Sequence, residues 1–200
     1  MKNSSRTILF LFVSGLVFFL NSCTYREKIN INNDVFSSNT HCIQQKIALY
    51  LEQEYCEYSF SQKRFADKYV FKIGETLCEG TEKMLKAAFS QVVIIKSMDI
   101  DISGQGIKAI VIPEIVSSDI VLPEIAWKDA KALIAIKYTF LDLDKKRIIW
   151  LDTYQGRGQA KLGTIFSGNR NIKKAMRLAI EDQFLKALNG ITSNAILKSL

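Results

Sequence analysis

The sequence predicts an α+β domain: a largely antiparallel sheet of about five to six strands with two helices on one face. Three observations carry that expectation. Residues 130–160 alternate apolar and polar over two long stretches separated by a polar turn. Residues 75–89 and 172–188 switch to apolar spacings of three and four. The strand-like segments come in runs and do not alternate one for one with helices.

Taken in chain order, Lys46 to Leu51 places Ile47, Leu49 and Leu51 on one side and Ala48 and Tyr50 on the other. This reads as a strand, with a helix over about 42–55 as the competitor. Phe65 to Ile73 alternates more clearly, with Tyr69, Phe71 and Ile73 on one face and Lys68 and Lys72 on the other, until Gly74 breaks it. From Glu75 to Phe89 the residues Leu77, Thr81, Met84, Leu85, Ala88 and Phe89 form one helical stripe, weakened a little by Gly80. Val92 to Lys96 is a short β-branched run, hence a buried strand. Ser103 to Gly106 is a turn, Ile107 to Ile112 a strand, and Pro113 to Ala126 an irregular loop with two prolines.

Ile134, Ile136, Tyr138 and Phe140 then alternate with Ala135, Lys137 and Thr139. After a polar turn at 142–147, Ile148, Trp150 and Tyr154 continue the pattern back, which makes a long antiparallel hairpin ended by Gly156, Gly158 and Gly163. In the closing helix Asn169 or Asn171 is the cap. Ile172, Met176, Ala179, Ile180, Phe184, Ala187 and Leu188 are the buried stripe, Arg177 and Glu181 an i,i+4 pair on the wet side, and Gly190 the C′ residue. A short helical tail follows over 193–200. The expected order is β-β-α-β-β-β-β-α.

The first residues have a different character. Lys2 and Arg6 precede an apolar run from Ile8 to Leu20 that is too short to span a bilayer as a helix, which takes about 20 residues. It has the form of a secretory signal. Leu20-Asn21-Ser22-Cys23 follows directly and resembles the bacterial lipobox, whose cysteine is diacylated and becomes the new N-terminus. Two acyl chains, at about 0.8 kcal/mol per buried methylene, hold a protein stably on a membrane. Thr24 stands where an Asp would favour the inner membrane in the enterobacterial pattern, which favours the outer one. The expected organisation is a signal peptide at 1–22, a lipidated N-terminus and Asn-rich tether at 23–40, and a single α+β domain at 41–200.

Composition is globular. Cleavage would remove Lys2 and Arg6 and lower the net charge from +7 to +5, a mildly basic balance that suits anionic lipid or cell-wall polymer. Its densest run, Lys145-Lys146-Arg147, falls in a turn and reads as solvated. Beyond Cys23, three cysteines remain in an oxidising compartment. Cys42 with Cys56 is the expected disulfide, with Cys78 packed in a helix; no CxxC supports a redox or zinc motif.

Catalytic constellations are not legible. His41 is the lone histidine and lies in a polar stretch without a visible orienting partner. Asp99 with Asp101 and Asp142 with Asp144 lack a third ligand at calcium-loop spacing, so no metal is expected. Glu52, Glu54 and Glu57 read as surface carboxylates. Gly156-Arg157-Gly158-Gln159 lacks the third glycine of a dinucleotide loop and the Gly-Lys-Ser/Thr of a phosphate loop. No cofactor and no nucleic-acid partner is expected.

The lipobox, the Gly74-Glu75-Thr76-Leu77 helix entry, the Phe89-Ser90-Gln91-Val92 exit into a strand, the long hairpin, and Asn169-Arg170-Asn171-Ile172 leading into Ala175…Ala179-Ile180-Glu181-Asp182 form one layout. Over most of residues 45–192 that layout resembles the YajG-type lipoproteins of the bacterial envelope. More loosely, the plan is similar to the lipopolysaccharide-transport accessory LptE and the curli secretion protein CsgG. The resemblance implies a fold type and carries no catalytic residues. The leading expectation is a non-catalytic envelope lipoprotein, held by an N-terminal lipid at the periplasmic face of the outer membrane. It would bind an envelope protein or cell-wall partner as an assembly or transport accessory. A small-ligand or lipid carrier with a cavity near Trp127 and Trp150 is the alternative. An envelope hydrolase using Glu54 and Glu57 is the third reading.

Overall fold

A computed structural model describes residues 24–36, 43–65, 67–102, 104–122, 129–143, 147–161 and 168–200. The chain is α+β, as the periodicities require, and its strands divide between two sheets. The smaller sheet has the order β1-β4-β3 and is made of β1 (Thr24–Lys28), β3 (Ser59–Arg64) and β4 (Asp67–Lys72), with β1 parallel to β4 and β3 antiparallel to it. The larger has the order β5-β2-β6-β7-β8, from β2 (Ile43–Tyr50), β5 (Phe89–Ile95), β6 (Ile107–Val121), β7 (Ala130–Leu141) and β8 (Ile148–Ala160). Its β5-β2-β6 side is parallel and its β6-β7-β8 side is a long antiparallel meander whose ladders are the longer, so most residue pairings are antiparallel.

Two long helices, α2 (Gly74–Ala88) and α3 (Gly168–Ser193), are accompanied by single turns α1 (Gln53–Cys56) and α4 (Ala195–Lys198) and a 3-10 turn at Asn33–Phe36. Both long helices bury the stripes expected of them: Leu77, Thr81, Met84, Leu85 and Ala88 on α2, and Ile172, Met176, Ala179, Ile180, Phe184, Ala187 and Leu188 on α3. They share one core with Ile47 and Leu49 of β2, Ala109 and Val111 of β6, Ile134, Ile136, Tyr138 and Phe140 of β7, and Tyr69 and Phe71 of β4. The opposite face of the large sheet has its own cluster, in which Ala48, Ile95, Ile107 and Ile110 pack with Ile102 from the connection between β5 and β6. β2 is therefore apolar on both sides, as a central parallel strand must be.

Four sequence expectations are corrected. Residues 24–36 are built into the fold and are not tether: β1 pairs with β4 from Thr24 to Lys28, and Ile29 is buried. Residues 113–121 are not loop but the second half of β6, paired with β7 as far as Val121. Pro113 is tolerated because β2 accompanies β6 only to Val111; beyond it β6 has one neighbour and no N–H is needed on the vacated side. Gly156 and Gly158 do not end the hairpin. They lie inside β8 where α3 crosses it, and a Cβ would stand 2.0 Å from the Ala179 carbonyl oxygen at Gly156 and 1.9 Å from that of Ala175 at Gly158. Gly190 is not a C′ residue, since α3 runs on to Ser193 and buries Ile191; a Cβ at Gly190 would meet the Tyr154 hydroxyl at 2.0 Å. β3, Ser59–Arg64, is an added strand whose polar sequence SFSQKR shows little alternation.

Candidate functional site

Among the described residues, those singled out in the sequence do not converge. Cys23, Cys42, His41, Asp144 and Trp127 lie outside the described residues. Cys56 is disulfide-bonded to Cys78, with Cα atoms 5.3 Å apart, which corrects the expected Cys42–Cys56 pair. The reason is local: α1 packs directly on α2, bringing residue 56 beside residue 78 on the first turns of α2. Glu52, Glu54 and Glu57 are exposed around α1, where Glu57 accepts a hydrogen bond from Gln53 at 2.8 Å. Among the described residues no group of three or more His, Cys, Asp or Glu side chains is placed to hold a metal. Trp150 packs edge-on against Phe140 at 5.3 Å and tilts toward Tyr154 at 6.4 Å. Where α3 crosses β8, the contact of its backbone with Gly156 and Gly158 occupies the space a ligand between helix and sheet would need.

The structure instead gathers cations. Arg170, Lys173, Lys174 and Arg177 recur on α3 at helical spacings of three and four, so they share the face opposite the buried Ile172, Met176 and Ala179. β1 brings Lys28 up to that face. Together with Ile29 and Asn30 these five cations line an open groove of about 370 Å³. Two buried contacts hold the floor in place: the Thr76 hydroxyl donates to the Ile29 carbonyl, and Lys173 reaches the buried Glu27 carboxylate. Asn32 N–H donates to Glu181 Oε1 at 3.0 Å, tying the same segment to α3.

Three of the five cations have acidic partners. Lys28 meets Glu75 at 2.7 Å, Lys173 meets Glu27, and Arg177 meets Glu181 at 3.7 Å. The Glu75 carboxylate holds the Lys28 ammonium above its usual pKa, though both side chains are exposed and such a pair contributes little to stability. Arg170 and Lys174, both exposed, have no ion-pair partner among the described residues and leave the groove with excess positive charge. A flanking groove of about 210 Å³ is lined by Lys28, Glu75, Thr76, Glu79 and Lys83 and is of mixed sign. The arrangement is suited to holding an anion by charge and hydrogen bonding; it offers no nucleophile paired with a base.

A second group of polar side chains lies deep in the core. Tyr55 and Thr81 hydroxyls are 2.7 Å apart, and Gln183 Nε2 donates to the Tyr138 hydroxyl at 3.1 Å. Burial pushes both phenols well above the usual tyrosine range, against which hydrogen bonds from Gln183 and Thr81 to Tyr138 act in the opposite sense. These groups fasten α1, α2, β7 and α3 to one another.

No family model and no curated protein matches the chain. Among solved structures it is similar to a minor lipoprotein from Acinetobacter baumannii, at 13% identity and a TM-score of 0.48, over 76% of this chain and 94% of that one. It is also similar to a DUF330 family protein from Xanthomonas campestris, at 8% identity and a TM-score of 0.47, over 88% and 96%. A third is a neuraminyllactose-binding hemagglutinin homolog from Helicobacter pylori, at 9% identity and a TM-score of 0.46, over 76% and 84%. At these values the likenesses establish neither shared family nor shared activity.

Proposed function

We propose that this chain is a lipid-anchored, non-catalytic envelope lipoprotein of the YajG type, held through Cys23 at the periplasmic face of the outer membrane. It acts there as a binding or assembly accessory whose partner is anionic. The observation that carries the reading is the cationic groove formed by Lys28, Arg170, Lys173, Lys174 and Arg177 at the end of β1. A surface built from a strand and one face of a long helix is rigid enough to recognise a partner. Its excess charge selects an acidic protein segment or a cell-wall polymer and speeds the encounter.

The basic n-region, the apolar run and Leu20-Asn21-Ser22-Cys23 supply the anchor. β1 starts at Thr24, immediately after that cysteine, so the domain would be held close to the lipid surface. The test has two arms in intact cells. Cys23→Ala is expected to abolish palmitate labelling and release the chain from the membrane fraction; unchanged labelling overturns the anchor. A photo-crosslinking residue at Asn30 is expected to capture an acidic envelope component, and Arg170→Glu with Lys174→Glu to lose it. Equal capture by the two forms overturns the groove as the binding surface.

A further inference from the structure

We propose that the β3–β4 hairpin tip, centred on Phe65, is a second membrane contact that inserts into the lipid interface beside the N-terminal anchor. The proposal rests on the anchored reading given above and adds to it a surface and an orientation.

Three independent features meet at this tip. Phe65 is 78% exposed, an uncommon cost for a large aromatic ring in water. It is also held at φ of 52°, in the left-handed region that bulky residues avoid. Arg64 and Asp67 pair across it, so Phe65 opens a two-residue hairpin loop, whose favoured turns take positive φ at that position and fix the ring at the tip. Just below the tip, Lys63 and Lys68 stand directly opposite each other on the ladder, both exposed. Like charges in cross-strand register repel in water. At an anionic interface the same pair is favourable, because lysine stems lie along the apolar layer and their ammonium groups reach the headgroups.

The third feature is position. β1 and β4 are parallel, with Thr24 opposite Lys68. The residue before Thr24 is Cys23, so an acyl anchor there emerges at the same end of the small sheet as the hairpin tip. With a rise of about 3.3 Å per residue and strands about 4.8 Å apart, Phe65 is within roughly 15 Å of Thr24, the first residue of β1. The neighbouring end of β6 extends the apolar contact: Val121, 57% exposed, shares a surface groove of about 320 Å³ with Phe65 and Lys63. An aromatic ring flanked by lysines next to a lipidated residue matches the composition of membrane-interface contacts. Lys28 lies at the other end of β1, so this footing leaves the cationic groove at the end of the small sheet away from the anchor.

The full chain, purified from membranes and reconstituted into liposomes of brominated phosphatidylcholine and phosphatidylglycerol, tests this. Flotation reads the anchor by itself. Phe65→Trp is expected to give emission that is blue-shifted and quenched by the brominated chains beyond the wild-type background of Trp127 and Trp150. Ile148→Trp, at an exposed position on the far end of β8, is expected to add no such quenching. A second readout needs no tryptophan: Lys63 and Lys68 are expected to resist an impermeant amine reagent in liposomes, and Phe65→Ser to lose that protection while still floating. A chain that floats but shows Phe65→Trp quenched only by aqueous acrylamide, with Lys63 and Lys68 fully reactive, overturns the tip contact and leaves the anchor standing. A chain that fails to float overturns both.

Discussion

Asp182 and Lys186, one turn apart on α3, together close the outer edge of β8. Asp182 Oδ2 accepts the outward-pointing N–H of Arg157 at 2.8 Å, Lys186 Nζ donates to the Gln155 carbonyl at 3.1 Å, and the two side chains meet at 2.6 Å. Further along, Asp152 accepts the Thr153 N–H at 2.7 Å. An edge strand with free N–H and C=O groups is a template for another chain, and here the helix that covers the sheet also occupies its rim. Replacing both residues, Asp182→Ala with Lys186→Ala, is expected to cost only about 1 kcal/mol, since the pair is partly exposed. The larger effect is expected in association: the double variant should show concentration-dependent dimers by light scattering where the parent does not.

The crossing of α3 over β8 makes a sharper demand. Gly158→Ala would drive a methyl to 1.9 Å from the Ala175 carbonyl oxygen, and Gly156→Ala to 2.0 Å from that of Ala179. Both obstacles are backbone within a packed helix, so relief requires α3 to move away from the sheet. Each variant is expected to lose about 3 kcal/mol in urea unfolding, at the upper end of overpacking costs. Gly190→Ala is the contrasting case. Its obstacle is the hydroxyl end of the half-buried Tyr154, which can swing aside, while alanine gains about 1 kcal/mol of helix propensity. Its unfolding midpoint is expected to fall much less than that of either strand variant.

The Cys56–Cys78 disulfide spans 22 residues and ties α1 to the first turns of α2 across the β3–β4 hairpin. Removing it with Cys56→Ala and Cys78→Ala is expected to cost about 3 kcal/mol, through the loop entropy returned to the unfolded chain. Peptide mapping under non-reducing conditions checks the pairing directly: a fragment joining residues 56 and 78 is expected, and one joining residues 42 and 56 would contradict it.

What could be read from the sequence divides by the range of the interaction responsible. The stripes of α2 and α3 and the β7–β8 hairpin repeat at the period of their own element, so local pattern sufficed. β1 was illegible because TYREK has no apolar alternation; its pairing depends on β4, more than forty residues later. The second half of β6 was hidden by Pro113, which is disfavoured in a strand flanked on both sides and acceptable here because the pairing of β2 with β6 ends at Val111. The candidate site was not singled out in the sequence, where the densest basic run is Lys145-Lys146-Arg147; the signal that could have found it is the spacing of Arg170, Lys173, Lys174 and Arg177 by three and four residues. That this face becomes a groove depends on Lys28, which no pattern within α3 announces.

The buried phenols set the response to alkali. Tyr55 and Tyr138 have folded-state pKa values raised above the ordinary value near 10, chiefly by burial. Below pH 10 both states keep the proton and nothing changes. Above it the unfolded chain releases protons that the folded chain retains, so the unfolded state is favoured as pH rises. Stability is expected to fall above about pH 10 by up to roughly 1.4 kcal/mol per pH unit for each tyrosine, until the fold itself gives way. Tyr55→Phe removes one titrating phenol and leaves the Thr81 hydroxyl within reach of Tyr138. Urea midpoints measured from pH 8 to pH 11 should show it less stable than the parent at the lower end and with a shallower decline at the upper. Parallel curves for the two proteins would show that Tyr55 does not hold its proton in the fold.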